Sequence, residues 1–263
     1  MLSFFKKKKI IPHIKLSGVI GNVGKFKQGI DFSGQEEIIS KAFSVKKAPC
    51  VAITINSPGG SPVQSHLIYS LIRQQAKKNK KKVIIFAEDV AASGGYWLAV
   101  SADKIYLDPS SVVGSIGVIS SGFGFNQLIE RYGIERRVHT AGTSKSMLDP
   151  FQRQKDEDVV RLKGLLEDIH QTFRDYVIER RGNKLADRDL FTGEIWVGKK
   201  GVDDGLADDL GHLVPVMQKK FGKKVRFNVY GKKKNILSRI GMRLLGDLNH
   251  SIEERLALSR FGM

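Results

Sequence analysis

The sequence predicts an α/β domain with mainly parallel strands, on two observations. Short β-branched apolar runs, too short to be helices, recur near 14–20, 50–55, 83–87, 104–107, 116–119 and 135–139. Between them lie helical stretches near 62–79, 94–101 and 124–132. Second, two of the strands end in glycine-bearing turns that open directly into helices, the alternation expected of crossover-connected parallel strands. The chain has 263 residues, 41% of them hydrophobic, enough for one substantial core.

The first strand–turn–helix unit runs from the apolar strand Cys50-Val51-Ala52-Ile53-Thr54-Ile55 into Ser57-Pro58-Gly59-Gly60-Ser61-Pro62. Ser61 followed by Pro62 is the pairing of an N-cap with a first helical position. The paired glycines let the backbone come close to a ligand with its N–H groups turned inward. The second unit runs from Val83-Ile84-Ile85-Phe86-Ala87 to Ala91-Ala92-Ser93-Gly94-Gly95-Tyr96. Ser93, flanked by small residues at a helix N-terminus, reads as a helix cap or as a nucleophile. Amide groups of Gly60 and Gly94 would together make an oxyanion hole, worth ~3–4 kcal/mol of barrier per donor.

A serine nucleophile needs a base. None of the six histidines (His13, His66, His139, His170, His212, His250) stands in a local setting that marks it as catalytic. Lys145 stands alone between Ser144 and Ser146, with Met147, Leu148 and Phe151 nearby, whereas most other lysines stand in runs. A lysine acts as a general base only where burial lowers its pKa from ~10.4 toward neutrality. The local sequence alone also fits an exposed loop lysine.

Four segments in order carry a family resemblance. They are Ile55-Asn56-Ser57-Pro58-Gly59-Gly60-Ser61, then Ala91-Ala92-Ser93-Gly94-Gly95-Tyr96. Ala102-Asp103-Lys104-Ile105-Tyr106 follows, running on to Gly114-Ser115-Ile116-Gly117-Val118, and then Lys145 with Asp149-Pro150-Phe151. Phe191-Thr192-Gly193-Glu194-Ile195-Trp196 through Gly205-Leu206-Ala207-Asp208-Asp209-Leu210-Gly211 adds a fifth. Over roughly 12–225 the chain resembles the signal peptide peptidase family of Ser–Lys serine peptidases. The resemblance implies a Clp protease/crotonase-like spiral of βαβ units. It places the nucleophile on Ser93, the general base on Lys145, the oxyanion donors on Gly60 and Gly94, and a lysine-orienting hydroxyl on Ser115. It also implies a peptide or protein substrate, signal-peptide remnants among the possibilities, and ring-like homo-oligomers whose neighbours complete each site.

Composition narrows the alternatives. The single Cys50 sits in an apolar strand and reads as a small core residue in a reducing compartment. There is no Cys/His spacing for a metal and no phosphate loop, so no metal or cofactor is expected. The five residues before Lys6-Lys7-Lys8-Lys9 are too few to cross a bilayer, which takes ~20, and a cytoplasmic location is expected. The net charge is +17, with seven lysines and no acid in residues 1–30 and ten Lys and Arg without an acid from His212 to Arg243. That balance suits an anionic membrane surface, with Leu2, Phe4 and Phe5 beside the lysines, better than a specific nucleic acid.

The domain reading is a basic tail over 1–11, a peptidase domain over 12–225 and a basic amphipathic extension over 226–263. In the extension Leu237, Ile240, Leu244, Leu248 and Ile252 recur at helical spacing. A longer helix is expected from about 154 to 181, with Val159, Leu162, Leu166, Ile169, Phe173 and Val177 as its apolar stripe. Two rival functions remain at this stage: a crotonase-like acyl-CoA enzyme, and a non-catalytic scaffold at the membrane.

Overall fold

A computed structural model describes residues 9–21, 29–142 and 144–231. In chain order these form β1 (Ile10–Ser17), α1 (Phe32–Phe43), β2 (Cys50–Ser57), α2 (Pro62–Lys78), β3 (Lys82–Ala92) and α3 (Gly94–Ala99). There follow β4 (Lys104–Leu107), β5 (Val112–Gly114), α4 (Asn126–Arg131) and α5 (Asp156–Arg181). The described residues end with β6 (Ile195–Val197), α6 (Gly198–Asp203), β7 (Asp209–Leu210), α7 (Leu213–Phe221) and β8 (Arg226–Tyr230). The described residues form two compact units: those within 117–173, and the others.

The larger unit is built on one eight-stranded sheet in the order β6-β5-β3-β2-β1-β8, with β4 also pairing β3 and β7. Every pair is parallel except β5–β6, as the alternation of elements predicts. β2 and the first half of β3 are buried almost throughout, so they read as unbroken apolar runs. Side chains alternate across a strand, so Ile11, Cys50, Ala52, Ile84 and Phe86 share one face, which Met217 of α7 covers with Leu213 and Val216. Val51, Ile53, Ile55, Val83 and Ile85 are buried on the opposite face. α1 packs on β1 and α2, and α2 on α3.

Cys50 is buried and free, and burial pushes its thiol up to about 11, which suits a packing residue. His13, on β1, is 4% exposed; its Nε2 lies 3.2 Å from Thr54 Oγ1 and its ring meets Phe227 edge-on. Burial, with a smaller contribution from Lys15, lowers its pKa from 6.5 to about 4. The unfolded chain therefore takes up this proton first as pH falls. Stability is lost between about pH 6.5 and 4, by about 3 kcal/mol at most from this group. Urea unfolding at pH 7 and pH 4.5 should show a smaller acid loss in His13→Asn than in wild type.

A second buried polar cluster ties the far end of the chain to the sheet. Asp208 accepts from Arg181 at 2.8 Å, Lys184 at 2.8 Å, Lys104 at 3.0 Å and the Ile105 amide at 2.9 Å. Burial alone would raise this carboxyl, but the bonds from Lys184, Ile105 and Arg181 outweigh it and hold its pKa well below the usual range. Arg181 is as buried as Asp208, at 3% and 6% side-chain exposure. Asp208→Ala would strand that guanidinium on the Gly205 carbonyl, a loss of about 3–5 kcal/mol, readable as a lower urea midpoint.

Residues 117–173 hold α4 and the first part of α5 but, among the described residues, no strand. The strands expected near 116–119 and 135–139 are absent because no neighbouring strand is there to pair with them. Around 135–139 the charged groups bond locally instead: Arg136 pairs with Asp149 at 3.1 Å and lies over Phe151, and Arg137 pairs with Glu135. Large apolar groups stay exposed here, notably Phe123 at 81%, Tyr132 at 72% and Val160 at 71%.

Other boundaries differ slightly. β1 begins at Ile10 and pairs Ile10 with Arg226, so β8 is the last strand of the sheet on the β1 side. α3 stops at Ala99, as the chain turns to place Asp103 N–H on Val83 O. The helical pattern at 236–258 and the apolar group at 2–5 lie outside the described residues.

Candidate active site

The site is built where β2 and β3 end. β3 runs into α3 through Ser93, whose φ of 51° and ψ of −124° lie where a residue with a Cβ rarely sits. The surrounding bonds impose this conformation. Ser93 N–H donates to Gly114 O at 2.8 Å, and Ser93 O accepts from Trp97 N–H at 3.0 Å. Strain of this kind costs on the order of 1–3 kcal/mol and persists only where the neighbours overdetermine it. Ser93 occupies the N-cap position of α3, yet its side chain makes no capping hydrogen bond. The cap reading therefore fails, and the half-buried hydroxyl is left for another use.

α3 is anchored to hold this turn. Its six residues are all buried, and Tyr96 donates its hydroxyl proton to Leu206 O at 2.8 Å. Burial pushes the Tyr96 phenol well above its ordinary value, so it stays a donor.

The glycine turn after β2 packs directly on the serine. A Cβ on Gly59 would lie 2.8 Å from Ser93 Cβ and 2.9 Å from Gly94 N. Gly60 has φ +143°, and a Cβ there would strike Ile20 O at 2.1 Å. Its neighbours clamp the turn to that segment, with Ile20 N–H on Gly59 O and Ser61 N–H on Ile20 O, both at 2.8 Å. Gly94 has no room for a side chain either, because Ser65 Oγ would lie 2.4 Å away and Gly60 N 3.4 Å away. Among the described residues neither the Gly60 nor the Gly94 amide donates to a backbone carbonyl. Two free donors thus lie beside one uncapped hydroxyl.

The third wall is β5. Ala92 pairs with Gly114, and Ser115 follows with φ 50°, its N–H on Glu194 O at 2.6 Å. Ser93 meets this strand at Gly114 O, and the strained Ser115 is the next residue along the chain. Ser115 also lines a cavity of about 550 Å³ with Arg188, Glu194, Trp196 and Lys200.

Lys145 belongs to the 117–173 unit. There it is exposed, and its N–H donates to Gly142 O at 3.3 Å. Among the described residues the histidines of the larger unit have other partners: His13 has Thr54, His66 has the Tyr176 hydroxyl at 2.8 Å, and His212 lies 3.4 Å from Asp108. Among the described residues no cluster of His, Cys, Asp and Glu could hold a metal ion, and no helix is long and apolar enough to cross a membrane.

The comparisons with known proteins bear on this site. The profile of peptidase family S49 matches residues 75–225, which include Ser93, Gly94, Ser115 and Lys145. The chain belongs to peptidase family S49. The S49 chain is 31% identical over 202 residues to the chloroplastic serine protease SPPA of Arabidopsis thaliana, covering 73% of this chain and 30% of that protein. It is 27% identical over 212 residues to an Enterococcus faecium protein named as a signal peptide peptidase SppA, covering 78% and 60%. It is also 49% identical over 231 residues to a protein of Brucella melitensis biotype 1 named Na(+)/H(+) antiporter NhaA, covering 87% of this chain but 31% of that one. The chain thus spans about a third of the length of that relative.

The sequence missed three features of the site. Gly59 rather than Gly60 makes the close contact with Ser93, and Ser93 and Ser115 both take left-handed backbone. Gly-Gly in a turn hints at the first; no local signal marks a non-glycine residue forced to positive φ.

Proposed function

We propose that the chain is a serine endopeptidase that hydrolyses peptides or proteins through an acyl-enzyme on Ser93, with Lys145 as general base. One observation carries the reading: Ser93 is held uncapped at φ 51° beside the unengaged amides of Gly60 and Gly94. Neutral Lys145 takes the Ser93 proton as Oγ bonds to the scissile carbonyl carbon, and the two amides take the oxyanion. The carbon–nitrogen bond then breaks, and the lysine ammonium returns its proton to the leaving amine. Water, deprotonated by the same lysine, attacks the ester and frees Ser93. Ser115 is assigned to orient the lysine amine.

A lysine base must be covered to be neutral, and Lys145 is exposed in the single chain. We assign the cover to a neighbouring protomer in a homo-oligomer, a reading that the exposed Phe123, Tyr132 and Val160 of the same unit support. Hydrophobic peptides, including signal-peptide remnants on the cytoplasmic side, are the proposed substrates.

The test is hydrolysis of casein and a fluorogenic peptide panel. Cleavage blocked by a serine-reactive phosphonate and untouched by EDTA is expected. Cleavage abolished by EDTA, or hydrolysis of acyl-CoA thioesters with none of peptides, would overturn the proposal in favour of a metal-dependent or crotonase-like enzyme.

A further inference from the structure

The parallel sheet has two very different edges. The ends of β2 and β3 carry the candidate active site. The starts of β1, β2, β3, β4 and β8 lie together at the opposite edge, as Ile10 pairs with Arg226, Cys50 with Lys82 and Ile84 with Lys104. β3 alone, at eleven residues, separates the edges by roughly 30 Å.

Basic residues crowd every segment that enters this second edge. Lys46 and Lys47 precede β2, and residues 77–82 are five lysines around Asn79. Lys219, Lys220, Lys223 and Lys224 lead to Arg226 at the start of β8, whose N–H donates to Lys9 O. The ammonium groups of Lys9, Lys81 and Lys220, from three separate segments, all bear electrostatically on Cys50, which shows how closely the segments converge. Except for Lys81, which turns inward to Val45 O, these side chains are exposed. Among the described residues none of them forms an ion pair. The one acid in these segments, Asp103, is taken by Arg73 and Arg180.

Helix dipoles account for part of this pattern, since Lys77 and Lys78 end α2 and Lys219 and Lys220 end α7. They do not account for Lys46, Lys47, Lys80, Lys82, Lys223 and Lys224, which lie beyond any helix. Unpaired like charges repel one another, so their concentration on one edge calls for an external anion. A cavity of about 540 Å³ opens there, lined by Arg73, Lys77, Lys80, Lys81 and Lys82 with Asp103.

We propose that this edge docks on the surface of an anionic phospholipid bilayer, with headgroup phosphates seated against the 77–82 turn. Charge complementarity supports that occupant, from Lys9 ahead of β1 to the lysines that precede β2, β3 and β8. The cations are nearly all lysines, point charges suited to a diffuse phosphate surface, rather than the arginine forks and stacking aromatics that read nucleic acid. In this orientation the catalytic edge faces away from the lipid. The proposal does not depend on the peptidase assignment.

The test is cosedimentation of the full chain with vesicles of phosphatidylcholine alone or mixed with phosphatidylglycerol. Binding to the mixed vesicles only is expected, weakened at least tenfold between low and high salt. Lys46→Glu/Lys47→Glu/Lys80→Glu/Lys82→Glu should weaken it at least tenfold and leave hydrolysis of a soluble peptide unchanged. No binding, equal binding to neutral vesicles, binding unaffected by the four reversals, or tighter binding to single-stranded RNA would each overturn the proposal.

Discussion

Ser93→Ala is expected to lower kcat by at least ~10⁴-fold while leaving the fold intact. The fold should survive because the substitution removes one half-buried hydroxyl that caps nothing. The backbone bonds that impose φ 51°, to Gly114 O and from Trp97 N–H, do not involve the side chain. Lys145→Ala should cost a similar factor, and the double variant little more, because nucleophile and base act as one unit. Lys145→Arg should not rescue, since a guanidinium does not give up its proton in a protein. Peptide hydrolysis by the three single variants and the double variant, with circular dichroism as the control for folding, checks this directly. Activity surviving Lys145→Ala but not Ser93→Ala would keep the nucleophile and reopen the identity of the base.

The second large effect is expected at Gly60. Alanine there would place its Cβ 2.1 Å from Ile20 O, in a backbone conformation of φ +143°. Neither partner can yield cheaply, since the clash is with a main-chain oxygen held by the Ser61 amide. The turn must lift off Ile20, and the Gly60 amide moves with it. Loss of one oxyanion donor is worth ~10²–10³ in kcat, and the displaced turn should also lower Tm. A fall in kcat larger than any rise in KM is the expected signature, because the amide acts on the oxyanion rather than on bound substrate. A Gly60→Ala enzyme with unchanged kcat would remove Gly60 from the site.

Much of this arrangement was legible in the sequence because its signals are local. Strand–turn–helix units with glycines at the turns mark both Gly59-Gly60 and Ser93-Gly94, and α2 and α5 begin and end close to where their patterns place them. The α/β class with mainly parallel strands follows from the same alternation. What the sequence hides is what depends on partners distant in the chain. The 135–139 segment, Glu135-Arg136-Arg137-Val138-His139, has one β-branched residue, and its arginines find carboxylates instead of a strand to pair with. β8 has an ordinary alternation and becomes a sheet strand only because β1 offers its edge. The positive φ of Ser93 and Ser115 arises from bonds to Gly114 and Glu194, 21 and 79 residues onward. Lys145 stands alone between two serines, and burial is the condition for its chemistry as a base. In the single chain it is exposed, so that condition passes to whatever covers it.

The central claim is a covalent intermediate on Ser93, and mass spectrometry of the quenched reaction with a slowly turned-over peptide ester tests it most directly. The account predicts an acyl adduct of the expected mass on the peptide that contains Ser93, with none in Ser93→Ala. An adduct on another residue, or hydrolysis at full rate by Ser93→Ala, would contradict it.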